Sequence, residues 1–414
     1  MKLKQTTALF LLIGALVTAP SRSASRSSSE GVDYGSDAVS QSTPTILPSG
    51  PTPTVQANSR KGFLETLHKH ITLGSTIPDN GDVNPYAVIV APVSAGIIEK
   101  GDVLISNFNA ISNLQGTGTT LMDYRPSTKK MTLFATLPKK LPQSQVGVGL
   151  TTAMAMLKSG WVIVGSMPSA DGTTKTKGDG CLLVLDPNGH LVSVWTDKTI
   201  NGPWGDMAVI DNGDSALLFI SMAGFDVPGP DVTDPKTGYP PILHSSTVLR
   251  LKLSIADGNP PVLVDQTVIG SGFSQRSDRD NFLFGPTGLT LSQDQKILYV
   301  TDGLDNLIAA ISEPATRSDS AGTGKVVTQN GQLAWPLAMV MTPEGHLLVC
   351  NGKDGKAVEV DPVTGQQVYA QWIDPDQAQT PPGNGDLFGL ALAPDGKGFY
   401  YVQDDTNTLM EAIP

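Results

Sequence analysis

The chain is poor in the side chains that most often hold transition metals or attack substrates. Among 414 residues there are two cysteines, Cys181 and Cys350, and five histidines: His68, His70, His190, His244 and His346. No catalytic or metal-binding signature links them, and one histidine without a nucleophile or an orienting partner makes a weak general base. No long helical period runs anywhere after the first residues, which excludes a bundle. Basic residues are also scarce. Through Ser59 there are four Lys/Arg and three Asp/Glu; beyond it 24 basic face 36 acidic residues, a formal −12. Such a surface repels phosphate backbones, so neither nucleic acid nor an anionic membrane is an expected partner. Apolar runs long enough to span a bilayer are missing too. The run from Ala8 to Ala19, behind Lys2 and Lys4, reads instead as a secretory signal. We assign residues 1–24 to it and expect export to a periplasm or beyond, with no transmembrane segment. Residues 25–59, rich in Ser, Thr and Pro, cannot bury enough apolar area to offset ordering and read as a disordered linker.

What the chain does have is a repeat. Phe284 to Ile311 (FGPTGLTLSQDQKILYVTDGLDNLIAAI) contains three short apolar stretches separated by two polar turns. The stretches are β-branched and aromatic, as strands prefer, and the turns carry Gly, Asp and Asn, which tolerate or stabilise tight backbone reversals. Degenerate copies start near Pro85, Thr151, Pro203, Pro286, Pro336 and Leu387, at intervals of 66, 52, 83, 50 and 51 residues. Periods of roughly 40 to 50 residues with four strands each predict a β-propeller, here all-β and six-bladed over residues 60–414, with insertions in the two long intervals. The last copy runs out after three strands. An N-terminal strand at His70–Leu73 is expected to supply the fourth and close the ring, removing open sheet edges. Cys181 and Cys350 fall in copies two and five, too far apart around such a ring for a disulfide. A monomer with two buried thiols follows.

YVTDGLDNLIAAI, from Tyr299 to Ile311, and more loosely VQDDTNTLMEAI near the C-terminus, resemble the NHL-type repeat. The overall plan is similar to the six-bladed superfamily of NHL-repeat proteins, gluconolactonase and senescence-marker-type lactonases, and strictosidine-synthase-like proteins. The resemblance implies, for the lactonases, a divalent cation in the central channel, held by Asn, Glu and Asp. The matching positions here are Tyr86, Thr152, Trp204, Thr287, Leu337 and Phe388, none of them an Asn or a carboxylate. The nearest oxygen donors, Asn84, Asp206 and Asp386, sit one or two residues away. No cofactor is therefore expected.

Those positions offer aromatic surface instead. Tyr86, Trp204 and Phe388, with Trp335 beside them, are expected to ring one mouth of the channel as a platform for a small molecule, sugar or peptide. Two insertions add to the candidates. Ala223–Ser246 carries His244, the one histidine placed as a general base, and Asp226, Asp231 and Asp234, which could take Ca²⁺ although they lack EF-hand spacing. Gly272–Asn281 carries Arg276, Arg279, Asp278 and Asp280 and is expected as a loop over the channel. The strand-end residues Asn107, Asp302, Asn351 and Asp404 read as caps of their own turns. The expected function is a ligand-binding or protein-interaction module. A lactonase-like hydrolase is the first alternative and a purely structural repeat protein the second.

Overall fold

The computed structural model describes residues 62–141 and 147–414; the expected signal and linker lie outside the described residues. Six antiparallel sheets succeed one another along the chain. Blade 1 comprises Val83–Val90, Val103–Asn109, Thr120–Arg125 and Lys130–Thr136. Blade 2 comprises Leu150–Met156, Val162–Ser166, Cys181–Leu185 and Leu191–Trp195. Blade 3 comprises Ala208–Asp211, Ser215–Met222, Leu243–Ser254 and Val262–Ser277, with a two-residue fifth strand, Leu283–Phe284. Blade 4 is Pro286–Leu291, Ile297–Asp302, Leu307–Ser312 and Lys325–Gln329, and blade 5 is Pro336–Met341, Leu347–Asn351, Lys356–Val360 and Gln367–Trp372. Blade 6 is Leu387–Leu392, Phe399–Gln403 and Thr408–Ile413, completed by Lys69–Ser75. The chain is a six-bladed β-propeller, closed as expected: Lys69–Ser75 lies antiparallel to Thr408–Ile413, with His70 opposite Ala412 and Thr72 opposite Met410. Among the described residues no helix is long and apolar enough to cross a membrane.

The apolar stretches pack blade on blade. One cluster joins blades 2 and 3 through Ile163, Leu182, Leu218 and Leu249, and another joins blades 4 and 5 through Tyr299, Ile308, Met339 and Val349. Polar staples add direction. In blades 1, 3 and 4 a small hydroxyl near the end of the second strand accepts an N–H from the inner segment of its own blade and donates to a carbonyl of the next blade. Ser106 receives Ala87 N–H and gives to Thr151 O, Ser221 receives Gly205 N–H and gives to Pro286 O, and Thr301 receives Gly288 N–H and gives to Leu337 O. Cys350 fills the same role with a thiol, 3.2 Å from Phe388 O. Both cysteines are buried and free.

Three expectations need correction. The inner strand of blade 3 begins at Ala208, not at Gly202–Gly205. Pro203 has no N–H to pair, and Asp206 N–H donates across to Thr287 O of blade 4, so this segment leaves only a single bridge, Pro203 to Met222. Gly272–Ser277 is strand, not loop, because the two outer strands of blade 3 run on past the sheet as a bent ribbon with register shifts at Ser246/Thr247 and Val248/Leu249. Of the strand-end residues, Asp302 does accept from its own turn at Asp305 N–H, but Asn107 reaches Thr76 O and Asn351 reaches Gln332 O, in the segments that lead into inner strands.

The segment leading into the closing strand is pinned by one buried acid. Glu359 of blade 5 accepts Phe63 N–H at 3.0 Å and Leu64 N–H at 2.8 Å, with His346 Nδ1 2.7 Å away. Its side chain is fully buried, so nothing else can serve those donors. Glu359→Ala should cost about 2–6 kcal/mol from two orphaned N–H groups at 1–3 kcal/mol each, with Glu359→Gln costing less. Urea unfolding of the two variants checks this; a loss under about 0.5 kcal/mol for Glu359→Ala would show that the latch is idle.

Candidate functional site

Six inner strands converge on a central channel, and strand alternation sorts its lining into layers. The layer nearest the strand starts is Tyr86, Thr152, Trp204, Thr287, Leu337 and Phe388. Its rings face each other. Tyr86 stacks on Phe388 at 4.1 Å and on Phe108 at 4.5 Å, and Trp204 stands edge-on to Tyr86 and stacks on Phe282 at 6.1 Å. Tyr86, Trp204 and Phe388 are only 2, 4 and 7% exposed. These three side chains therefore seal one mouth. Phe108 and Phe282, which complete the seal, come from the end of a second strand and from the connection into blade 4, positions that the repeat does not mark.

The other sequence candidates lie outside the seal. Trp335 is half-buried, 4.3 Å from Phe284, with Lys353 over its ring at 5.1 Å. Arg276 lies over Tyr239 at 5.1 Å and Phe284 at 5.5 Å and pairs with Asp278 at 3.7 Å. His244 is exposed, its Nδ1 3.2 Å from Ser274 Oγ. That hydroxyl has one hydrogen, and it donates to Asp305 Oδ2 at 2.6 Å, so His244 Nδ1–H donates to the serine oxygen and does not take the serine proton. The trio ties the blade 3 ribbon to a blade 4 turn. Asp226, Asp231 and Asp234 do not converge: Asp231 pairs with exposed Arg279 at 3.4 Å, and Asp234 caps its own turn at Lys236 N–H, 2.8 Å away.

From the opposite mouth the channel is open, a well of ≈ 440 Å³. The ladder pairs Val88 with Ile105, Met154 with Val164, Leu289 with Val300, Met339 with Val349 and Leu390 with Tyr401. These five share one layer, and the Gly205–Ser221 staple places Asp206 as its sixth member. Beyond them, toward the mouth, come Val90, Ala208, Leu291, Met341 and Leu392. The middle layer is thus five apolar side chains and one acid. The Asp206 carboxylate reaches across the channel, Oδ2 accepting Met339 N–H at 3.3 Å, with Leu289 N–H also bonded to it. Burial pushes its carboxyl up to about 8, against the pull of those two donors. Sequence reasoning noticed Asp206 only as out of register; stepping two residues along each inner strand would have placed it.

This acid should leave a pH signature. Below about pH 3.8 both folded and unfolded chains are protonated; above it the unfolded chain loses the proton that the fold retains until about pH 8. The group therefore lowers stability progressively across that window, with the full penalty above it. Asp206→Asn should raise the melting temperature relative to wild type increasingly from pH 4 to pH 8.5. A difference that stays constant with pH would contradict the assignment.

No family model matches the chain, and no curated protein does. Solved structures do resemble it. A gluconolactonase from Xanthomonas campestris is 13% identical over 84% of this chain and 90% of its own, with a TM-score of 0.48. Regucalcin from Agrobacterium tumefaciens, a calcium-binding protein, is 13% identical over 82% and 93%, TM-score 0.47. An aldose sugar dehydrogenase from Streptomyces coelicolor, solved with PQQ, is 14% identical over 83% and 98%, TM-score 0.48. At these identities the likeness is one of architecture alone.

Proposed function

We propose that this protein is an exported binding module. It takes a small, neutral, largely apolar molecule carrying one hydrogen-bond acceptor into the channel from its open mouth. The observation behind this is the middle layer, where a single acid stands among Val88, Met154, Leu289, Met339 and Leu390. A concave apolar well with one placed polar group is the usual form of a small-molecule site. Met154, Met339 and Met341 make its wall adaptable. With its carboxyl raised to about 8, Asp206 is mostly protonated at neutral pH and donates to a carbonyl or ether oxygen. A free sugar would leave most of its hydroxyls facing hydrocarbon, which is costly. The lactonase-like alternative needs a hard cation in the channel, and such ions take six to eight oxygen ligands. One carboxylate among aliphatic and thioether side chains does not fit that donor set.

The test uses a neutral naphthyl ketone dye and the full chain. Saturable one-site binding is expected, weakened at least tenfold by Leu291→Trp, which fills the open mouth, and unchanged by Trp335→Ala on the sealed side. Binding lost with Trp335→Ala and kept with Leu291→Trp would move the site to the strip of Arg276, Tyr239, Phe284 and Trp335.

A further inference from the structure

Three carboxylates from three separate segments meet where blade 5 hands over to blade 6. Asp374 follows the last strand of blade 5, Asp386 precedes the inner strand of blade 6, and Asp405 lies in the turn after that blade's second strand. One oxygen from each lies within 4.8 Å of the others. Asp374 and Asp386 are 2 and 4% exposed. Like charges at that spacing repel. Among the described residues no lysine or arginine pairs with any of them.

Asp374 Oδ1 accepts Asp376 N–H at 3.2 Å and Asp405 Oδ1 accepts Thr406 N–H at 2.7 Å, but other oxygens of the cluster lack donors. Asp386 Oδ2 and Asp374 Oδ2 are buried with no hydrogen-bond partner, and so are Gln379 Oε1 and, behind the cluster, Asp404 Oδ1. Buried acceptors are seldom left unserved. The backbone holds this arrangement tightly. Gly355 N–H bonds Pro382 O, Gly383 N–H bonds Asp376 O, and Asp404 N–H bonds Asp386 O. A Cβ on Gly355 would lie 1.7 Å from Asp374 O, and one on Gly383 would lie 2.6 Å from the same atom. The segment from Asp374 to Asp386 is therefore shaped to bring its two acids back together.

We propose that Asp374, Asp386 and Asp405 bind one calcium ion, which clamps blade 5 to blade 6 beside the closing strand. The donors are all oxygen, as a hard cation requires. Oxygens within 4.8 Å of one another can share a centre about 2.3–2.6 Å from each, and calcium's flexible shell of six to eight oxygens accepts such mixed donors more readily than the strict octahedron of magnesium. The Gln379 carboxamide oxygen, a backbone carbonyl and water are available to complete the shell. This site is separate from the channel well and does not depend on what the channel binds.

Calorimetric titration of the EDTA-treated full chain with calcium chloride, alongside thermal melts, tests this. One calcium per chain is expected, with a melt raised by several degrees over EDTA and magnesium at least tenfold weaker. Asp405 is exposed, so Asp405→Asn should fold; it should weaken calcium at least tenfold and shrink the melt shift. In EDTA the same variant should melt at or above wild type, because repulsion is relieved. Asp231→Asn should change nothing. Absence of a calcium-dependent heat and melt shift in wild type, or an undiminished shift in Asp405→Asn, would overturn the proposal; shared protons would then account for the cluster.

Discussion

The pairing of Lys69–Ser75 with Thr408–Ile413 is the constraint on which the rest of the structure depends. A propeller blade has two long edges and no independent core of its own; it gains stability by facing its neighbours. An open arc of blades would expose one face of blade 1 and one of blade 6, along with the bare edge of Thr408–Ile413. The closing strand covers that edge, and Glu359 fastens the residues just before it by their backbone N–H groups. With the circle shut, the hydroxyl staples of Ser106, Ser221 and Thr301 fix the height of each inner strand against the next. That common height turns six separate strands into layers around one axis.

The layers explain the asymmetry of the channel. One end carries large rings that fit only by stacking on each other, and the mutual burial of Tyr86, Phe108, Trp204, Phe282 and Phe388 shuts it. The next layer has mostly aliphatic and thioether side chains, too slender to meet at the axis, and leaves a well. Asp206 survives there because Leu289 and Met339 offer N–H groups beside register shifts in their own strands. Its raised pKa is the cost of that position.

Much of the architecture was legible in the sequence because each copy repeats the same chemistry: an apolar strand, a turn rich in Gly, Asp and Asn, and a second strand. The register of the first layer was legible too, from Tyr86 and Trp204 to Phe388. Whether those rings formed a platform or a seal was not, since Phe108 and Phe282 approach from outside the repeat pattern. The blade 3 ribbon was hidden for a similar reason: the Gly-, Ser- and Arg-containing stretch Gly272–Ser277 looks like a loop until its long partner strand is known. The acidic meeting of Asp374, Asp386 and Asp405 needs the handover between blades to be folded before it exists at all. In the sequence Asp386 stood only as an oxygen donor out of register, and Asp404, the neighbour of Asp405, only as a cap of its own turn.

Native-state hydrogen exchange on the full chain tests ring closure most directly. If the closing strand holds the circle, the amides of Lys69–Ser75 exchange only by the same global opening as those of the inner strands Pro286–Leu291 and Pro336–Met341, with matching protection. If Lys69–Ser75 instead exchanges orders of magnitude faster while the inner strands stay protected, the ring does not rely on that strand, and the account of how the channel is held would fail.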